Sequence, residues 1–317
     1  MPKVSFVLPA YKSRFLREAI KSILAQTYRD FELIVVDDKS PEGLKAIVDS
    51  FSDSRLVYHC NETNLGGKDL VAAWNKALSY AQGEWVVCAS DDDVYLPDYL
   101  NEMVALSAKY ENVDAFHCRI AYIDEKGMVT REGGGRLEYE SGLEMFYHGC
   151  ICHEDQRISE FMIRRSRLMQ IGGFLSCPRA WCSDFMTVCE AAYEKGAVCC
   201  NEILFRWRSS TENISSSFSD AEEKMKAKKC CSDWIYHMIG RFASRRDVDK
   251  DLLARIQIEA PRFIWGHVAY YAQLGYTRAR RIILSSEMSD SFKREYWSAC
   301  RMLIVKRWVK KLLQIDR

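Results

Sequence analysis

The sequence predicts an α/β protein with a mostly parallel β-sheet flanked by helices and a helical C-terminal extension. Short apolar runs alternate with amphipathic segments through the first half of the chain, which is typical of right-handed strand–helix–strand units. The runs VSFVL, LIVV and WVVC are apolar without alternation. Strands of that kind are covered on both faces, as in a parallel sheet.

The predicted elements of the first half follow one another with short links. Strands are expected at Val4 to Leu8, Phe31 to Val36, Leu56 to His59 and Trp85 to Ala89. Helices are expected at Phe15 to Gln26, from Ser40-Pro41 onward, and at Asp69 to Ala81. The first helix has apolar residues three and four positions apart, and the second has a Ser cap followed by Pro at the first helical position.

The alternation loosens after about residue 110 of the sequence. Strands are predicted at Ala115 to Ile123 and Ala197 to Trp207, with a helix from Ser183 to Gly196. Three consecutive glycines within Arg131 to Arg136 indicate a loop. From about residue 220 onward the sequence has few turn signals and is predicted to be helical.

Composition excludes several classes of protein. The 317 residues include 45 basic and 44 acidic ones, a net charge of +1, so we expect no nucleic-acid partner. The 13 cysteines form no CxxC pair, the N-terminus is unlike a signal peptide, and no apolar stretch reaches the roughly 20 residues that span a bilayer. These features predict a cytosolic protein with reduced thiols.

Polar groups follow three of the candidate strands directly. These groups are Pro9-Ala10-Tyr11, Asp37-Asp38 and Ser90-Asp91-Asp92. In parallel sheets, ligands bind just beyond the carboxyl ends of the strands. The pattern therefore predicts a binding site where these three segments converge.

The acidic triplet at Asp91, Asp92 and Asp93 has two interpretations. The acids could cap the following helix, although its expected start near Pro97 is distant. Alternatively they hold a hard divalent cation, which takes carboxylate oxygens together with water and substrate phosphates and removes the repulsion between like charges. The neighbouring Asp37-Asp38 favours the cation.

Residues 3 to 215 resemble the family 2 inverting glycosyltransferases, whose Rossmann-like GT-A fold binds a nucleotide sugar. The resemblance rests on KVSFVLPAYKSRFLREAIKSILAQTYRDFELIVVDDKSPE, NLGG with AAWNKAL, GEWVVCASDDDVYLPDYL, and the later IGGF, CSDF and RWRSS. It implies a GT-A domain at 1–218, with a nucleotide-binding half at about 1–110 and an acceptor half at about 111–218. A helical region at 219–317 would follow.

The resemblance assigns the nucleotide to the first half of the chain. Pro9, Ala10 and Tyr11 would wall the base and ribose. Asp38 would accept a hydrogen bond from the base, with uracil favoured, and Asp91 would face the ribose. Ser90 belongs to the same site and stands where relatives often carry an aspartate.

The resemblance also implies which residues lie near the phosphates. Gly66 allows close backbone approach, and Lys68 would contact phosphate unless it is an ordinary solvated lysine. Asp92 and Asp93 would bind Mn²⁺ or Mg²⁺, which bridges the two phosphates. Arg208 is a further diphosphate contact, although the histidine that relatives often place two residues beyond such an arginine is Ser210 here.

The acceptor side of the reaction is implied by the second half. Asp184, in CSDF, matches the family's general base, which removes the proton of the acceptor hydroxyl. Its alternative role is a helix N-cap. Trp181 would stack on an acceptor sugar, or else it is a core tryptophan.

The C-terminal segment RMLIVKRWVKKLLQIDR carries six basic residues against one acid. Its apolar residues Met302, Val305, Trp308, Val309 and Leu312 fall on one helical face. This pattern predicts that residues 301–317 contact an anionic membrane surface, unless the helix docks on protein. The expected location is therefore the cytoplasm, peripheral on the inner face of the plasma membrane.

The expected function is metal-dependent transfer of a hexosyl or N-acetylhexosaminyl group from a nucleotide sugar, with UDP favoured, to a glycan or lipid-linked acceptor in cell-surface polysaccharide synthesis. The alternatives are a nucleotidyltransferase, which also places nucleotide and metal at strand ends, and a catalytically silent sugar-nucleotide binder. Self-association into a homo-oligomer stays open. The donor sugar and the linkage are not encoded in any motif.

Overall fold

A computed structural model describes residues 2–150, 156–211, 221–265, 275–285 and 290–312. The chain divides into two compact units. The first consists of Met1–Ser176 and Ser183–Ser216, and the second of Cys177–Cys182 and Ser217–Arg317. The predicted boundary at residue 218 falls within 212–220, outside the described residues.

The first unit alternates strands and helices. Its strands are β1 (Val4–Ala10), β2 (Phe31–Asp37), β3 (Leu56–Cys60), β4 (Trp85–Cys88), β5 (Val94–Tyr95), β6 (Ala115–Ile123), β7 (Val129–Glu132), β8 (Tyr139–Glu140), β9 (Phe161–Arg164) and β10 (Ala197–Arg208). Its helices are α1 (Leu16–Leu24), α2 (Leu44–Val48), α3 (Leu70–Leu78), α4 (Tyr99–Lys109), α5 (Gly142–Cys150), α6 (Arg165–Gln170) and α7 (Ser183–Ala192), with a 3₁₀ turn at Ile158–Glu160.

All ten strands form one sheet, in the order β3-β2-β1-β4-β9-β6-β10-β5, with β7 beside β6 and β8 beside β10. The N-terminal half of the sheet, β3-β2-β1-β4, is wholly parallel. Strand β9 runs antiparallel to β4 and β6 and joins that half to the parallel pair β6-β10. The expected fold class, a flanked α/β sheet with helices after it, is confirmed.

The central strands are buried on both faces, as their unbroken apolar runs predict. Every residue of β1 is buried except Pro9, which is half-buried. Phe6 of β1 contacts the rings of Phe31 and Tyr95 edge-on, at centroid distances of 5.9 and 5.1 Å. Burial of each such side chain contributes about 1.5–3 kcal/mol, which fixes the strand ends that carry the polar groups.

The prediction that the second helix begins at Ser40-Pro41 is wrong, because the helix begins at Leu44. The amide of Ser40 donates to Asp37 Oδ1 at 2.8 Å, which forms a turn instead of a helix cap. Helix α2 begins only after Gly43, whose φ of 69° lies in the left-handed region. The short strands β5, β8 and β9 were not predicted, and β7 takes the first residues of the expected loop at 131–136.

The second unit contains α8 (Ala221–Ala243), α9 (Lys250–Trp265), α10 (Tyr276–Ser285) and α11 (Asp290–Leu312), as the sequence predicts for this region. A 3₁₀ turn at Pro178–Ala180 also belongs to it. Within the described ranges, no helix is both long enough and apolar enough to cross a membrane.

Candidate active site

The carboxyl ends of β1 and β2 are tied together by their own backbone. The amide of Asp38 donates to the carbonyl of Ala10 at 2.9 Å, and the Ser40 hydroxyl donates to the carbonyl of Tyr11 at 2.6 Å. The Tyr11 side chain is 40% exposed beside this junction. The expected base-binding segment therefore lies at the sheet edge with its aromatic ring accessible.

The Asp38 carboxylate is buried and organises the loop after β3. Its Oδ1 accepts hydrogen bonds from the Asn61 side chain at 2.7 Å and the Leu65 amide at 2.9 Å. Its Oδ2 accepts one from the Gly66 amide at 2.6 Å. A Cβ on Gly66 would lie 3.0 Å from that oxygen, so the glycine permits this approach. The role of Asp38 toward a base stays a prediction.

Residues 90–93, which follow β4 and are called the acidic loop below, are tied to the end of β1 by Asp91. Its Oδ2 accepts hydrogen bonds from the amides of Tyr11 and Lys12, both at 2.8 Å. Burial, followed by the charge of Asp92, raises the pKa of Asp91 to about 6, although these two amides oppose the shift. This carboxylate therefore holds the predicted base-binding segment in place.

Asp93 is buried and serves the other side of the loop. Its oxygens accept hydrogen bonds from the Ser90 hydroxyl and, at 2.8 Å, from the Arg208 amide. Burial and then the Asp92 charge raise the pKa of Asp93 to about 8. Because both oxygens are bonded within the protein, the geometry gives Asp93 a supporting position, and its predicted contact with a metal stays untested.

The Asp92 carboxylate is held differently from its neighbours. Its hydrogen bonds come from Ser90 and from its own backbone, and the positive charges of Lys12 and Arg208 act on it. Burial raises the pKa of Asp92 despite these contacts. Among the residues described, no group of three or more His, Cys, Asp or Glu side chains could hold a metal ion. A cation here would need oxygens from a ligand as well as from Asp92.

Arg208 is buried and holds the acidic loop in place through hydrogen bonds. Its guanidinium donates to the carbonyls of Asp92 and Asp124 at 2.8 and 3.1 Å and to Glu18 at 2.7 Å. The side chain is only 1% exposed. Its charge acts on Asp92 from within the protein, and the predicted contact with diphosphate would require it to leave these partners.

Arg157 links the acidic loop to the predicted general base. Its charge lowers the pKa of both Asp93 and Asp184, against the effect of burial. Its guanidinium lies 4.9 Å from the ring centroid of Trp207. Arg157 therefore interacts electrostatically both with the acidic loop and with Asp184 in the first turn of α7.

The Asp184 carboxylate is half-buried. Burial raises its pKa, while the amide of Phe185, which donates to Oδ1 at 2.8 Å, opposes the rise. Burial raises the pKa of Glu160 well above its ordinary value, and the charge of Asp184 raises it further. A raised pKa makes the Asp184 carboxylate a stronger base than an ordinary aspartate, which suits it to accept a proton.

The remaining predicted residues take separate places. Lys68 is exposed in the loop before α3. Trp181 is half-buried and follows the 3₁₀ turn at Pro178–Ala180, within the second unit. Sequence reasoning missed Arg157 and Lys12. Lys12 could have been found because it directly follows Pro9-Ala10-Tyr11, whereas no motif marks Arg157.

Comparison with known proteins identifies the class. Residues 5–167 match the sequence profile described as Glycosyl transferase family 2. The match covers half of the chain, and the chain belongs to that family. The chain spans less than half the length of several curated relatives that it matches.

Individual relatives are consistent with this assignment. The chain is 31% identical over 150 residues to the Escherichia coli protein WfgD, named UDP-Glc:alpha-D-GlcNAc-diphosphoundecaprenol beta-1,3-glucosyltransferase; this is 47% of the chain and 58% of WfgD. Residues 1–349 of Staphylococcus aureus TarS, solved with UDP-GlcNAc, superpose with a TM-score of 0.66 at 16% identity, covering 96% of this chain and 91% of that one. The mannosyltransferase PcManGT from Pyrobaculum calidifontis, solved with GDP-Man and Mn²⁺, gives a TM-score of 0.53 at 17% identity, with 99% and 88% covered.

Proposed function

We propose that this chain is a metal-dependent inverting glycosyltransferase that moves a sugar from a nucleotide-sugar donor, with a UDP-sugar favoured, to a glycan or lipid-linked acceptor in surface polysaccharide synthesis. One observation carries the proposal. The acidic loop after β4 and Asp184 on α7 both lie within the electrostatic reach of Arg157. The loop proposed to bind diphosphate through a cation and the residue proposed to accept the proton thus share one basic neighbour.

The donor would lie across the carboxyl ends of β1, β2 and β4. Tyr11 offers an exposed ring beside the backbone of Ala10, and Asp91 fixes the segment that carries both. Lys68 is exposed in the loop that Asp38 organises, where its ammonium group could meet phosphate. The printed names of WfgD and of the TarS complex support a UDP-sugar as donor.

The chemistry of Asp92 fits a hard divalent cation. Its carboxylate supplies oxygen, and Asp91 and Asp93 beside it have raised pKa values because they are buried and lie next to the Asp92 charge. Mn²⁺ or Mg²⁺ held by Asp92 and the two donor phosphates would offset the charge of the leaving diphosphate. Arg208 and Lys12 supply fixed positive charge at the same carboxylate.

Asp184 is proposed as the base of the transfer step. The bond from the anomeric carbon to the diphosphate oxygen breaks, and the bond to the acceptor oxygen forms on the opposite face of the sugar. The proton of the acceptor hydroxyl passes to Asp184, whose raised pKa suits it to that task. Stacking of an acceptor sugar on Trp181 remains part of the proposal.

The C-terminal part of α11 is proposed to contact an anionic bilayer. Five apolar side chains are exposed there, with Trp308 63% and Leu312 61% accessible. Five basic residues share the segment, namely Arg301, Lys306, Arg307, Lys310 and Lys311. Residues 313–317 lie outside the described residues. Such a helix binds anionic vesicles through its apolar face and its charge.

Vesicle sedimentation tests this contact. We expect the full chain to bind vesicles that contain anionic lipid, and Trp308→Ala to weaken binding by about tenfold through lost apolar burial. Ile258→Ala on α9, at a side chain 76% exposed, is the matched control and should bind as the parent does. Equal binding by both variants would reject the bilayer as the partner of α11.

A thermal-shift screen of nucleotide sugars with and without Mn²⁺ tests the catalytic proposal. We expect one donor class to raise the melting temperature in a Mn²⁺-dependent way, because ligands that bind only the native state stabilise it. Release of the nucleoside diphosphate from that donor on addition of an acceptor would separate an enzyme from a silent binder. Stabilisation by nucleoside triphosphates alone would favour a nucleotidyltransferase.

A further inference from the structure

We propose that Cys177 and Cys230 form a redox-active thiol pair, which a low-molecular-weight disulfide converts into an intrachain disulfide. Cys177 opens the segment 177–182, which groups with the C-terminal helices and not with the residues on either side of it. Four thiols meet there. Cys177 and Cys182 come from the segment, and Cys230 and Cys231 come from α8.

The thiols are arranged as two facing pairs. The Cys177 thiol hydrogen-bonds that of Cys230, and its Sγ lies 3.2 Å from the carbonyl oxygen of Ala227, one helical turn earlier. The Cys182 thiol hydrogen-bonds that of Cys231, and Cys177 lies near enough to affect both. Cys177 and Cys231 are buried, whereas Cys230 is half-exposed. A reagent from solution would therefore reach Cys230 first and find Cys177 behind it.

The backbone between the two segment cysteines is held in an unfavourable conformation. Arg179, Ala180 and Cys182 have φ values of 59°, 54° and 76°, in the left-handed region that residues with side chains rarely adopt. Such conformations persist only where surrounding contacts fix them. The contacts of the segment with α8 serve that purpose, and a disulfide from Cys177 to α8 would fasten the segment at its first residue.

Cys230 is the nucleophile of the pair. The hydrogen bond from Cys177 and the charge of Lys229 lower the pKa of Cys230 to about 7, although burial and Asp233 act in the opposite direction. A thiolate attacks disulfides, whereas a thiol does not. Cys177, whose pKa is raised by the same hydrogen bond, keeps its proton until the second step.

The reaction balances with one molecule of a small disulfide, RSSR. The Cys230 thiolate attacks one sulfur, forms a mixed disulfide and expels RS⁻, which takes up a proton. Cys177 then attacks the Cys230 sulfur, and the second RSH leaves. Two protein thiols are oxidised, one disulfide bond forms in the protein, and RSSR is reduced to two RSH.

Zinc is the competing occupant of a four-cysteine cluster. Across the described ranges, which include all four of these residues, no group of three or more ligand side chains is disposed to hold a metal ion. The paired arrangement favours a disulfide instead. This proposal does not depend on glycosyl transfer, since its readout is the state of the thiols.

Incubation of the full, reduced chain with glutathione disulfide tests the pair. After alkylation and digestion, mass spectrometry should show a peptide linked through Cys177 and Cys230, and the melting temperature should rise by about 5 °C or more because the disulfide restricts the unfolded chain. Both effects should disappear in Cys230→Ser and persist in Cys182→Ser. The exposed Cys60 is the internal control and should carry only glutathione.

Three results would overturn the proposal. Cys177 and Cys230 could both remain free while Cys60 becomes modified. Cys230 could link to another cysteine in the parent chain. The purified, reduced protein could carry one equivalent of zinc that is lost in Cys230→Ser. Any of these would show that the cluster is not the dithiol pair assigned here.

Discussion

The acidic residues after β2 and after β4, both in the N-terminal parallel half of the sheet, have different electrostatic surroundings. After β2, Asp37 and Asp38 accept hydrogen bonds from donors that carry no charge: Ser40, Tyr58, Asn61, Leu65 and Gly66. After β4, three adjacent acids share one loop; burial raises the pKa of all three, and the charge of Asp92 adds to the rise at Asp91 and Asp93. The first cluster is compensated by neutral donors within the protein, whereas the second keeps raised pKa values despite the charges of Lys12, Arg208 and Arg157.

This difference assigns separate tasks to acids that look alike in sequence. Asp38 shapes a loop, while Asp91 and Asp93 anchor the acidic loop to β1 and to Arg208. Asp92 is left with local hydrogen bonds and two nearby cations. Asp184, across Arg157, also has a raised pKa. We therefore expect Asp92 and Asp184 to be needed for activity and Asp38 for folding.

The largest expected effect belongs to Asp184. Asp184→Asn should lower kcat by about 10²–10⁴-fold, because the amide cannot accept the acceptor's proton, while donor binding stays within about twofold. The measurement is steady-state release of the nucleoside diphosphate together with calorimetry of donor binding. If kcat were retained, Asp184 would have only a structural role in the first turn of α7, where it follows the first helical residue and is not the N-cap that the sequence allows.

The next effect separates the two acidic strand ends by stability. Asp38→Asn replaces an oxygen that accepts from a backbone amide with a donor, and an unsatisfied buried group costs about 1–3 kcal/mol. Urea unfolding should show that loss in the free energy of unfolding. Asp92→Asn, the matched control, should be at least as stable as the parent because it relieves repulsion. A larger loss for Asp92→Asn would reverse the assignment.

A smaller effect tests the close approach at Gly66. Gly66→Ala would place a Cβ 3.0 Å from Asp38 Oδ2, and crowding of this kind costs about 1–3 kcal/mol. Gly134→Ala is the control, since nothing lies within 4 Å of its Cβ position. Thermal melts of both variants make the comparison. Equal melting temperatures would show that the loop bound by Asp38 accommodates the added Cβ with no loss of stability.

The smallest effect is the pH dependence of the stability that Asp184 contributes. Its native pKa is raised, so the native state binds the proton more tightly than the unfolded state, and stability is lost as pH rises through that pKa. Asp184→Asn lacks this loss and should melt about 1–3 °C above the parent at neutral pH. The difference should vanish below about pH 4. A variant that melts lower at neutral pH would contradict the raised pKa.

The sequence is sufficient for the sheet and for the position of the site. Unbroken apolar runs predict β1, β2 and β4, and the polar residues that follow each run predict the edge where Asp38 and Asp91 lie. These signals are local, because each depends on a few neighbouring residues. Asp184 is predicted from the family resemblance of the segment CSDF.

The partners of each carboxylate could not be predicted. Three consecutive aspartates show no periodicity, so the sequence cannot tell that Asp91 accepts from Lys12 while Asp93 accepts from Arg208. Those bonds join residues that are far apart in the chain. Arg157 is likewise far in the chain from Asp93 and Asp184, on which its charge acts. No local pattern marks the contacts of the segment 177–182 with α8.

Titration calorimetry of UDP into the chain, with and without Mn²⁺, tests the central claim that Asp92 is the carboxylate that binds the cation. We expect Mn²⁺ to tighten UDP binding at least tenfold in the parent chain and in Lys68→Ala, and to have no effect in Asp92→Asn. Retention of the full Mn²⁺ effect in Asp92→Asn would show that another group holds the cation and would contradict the account.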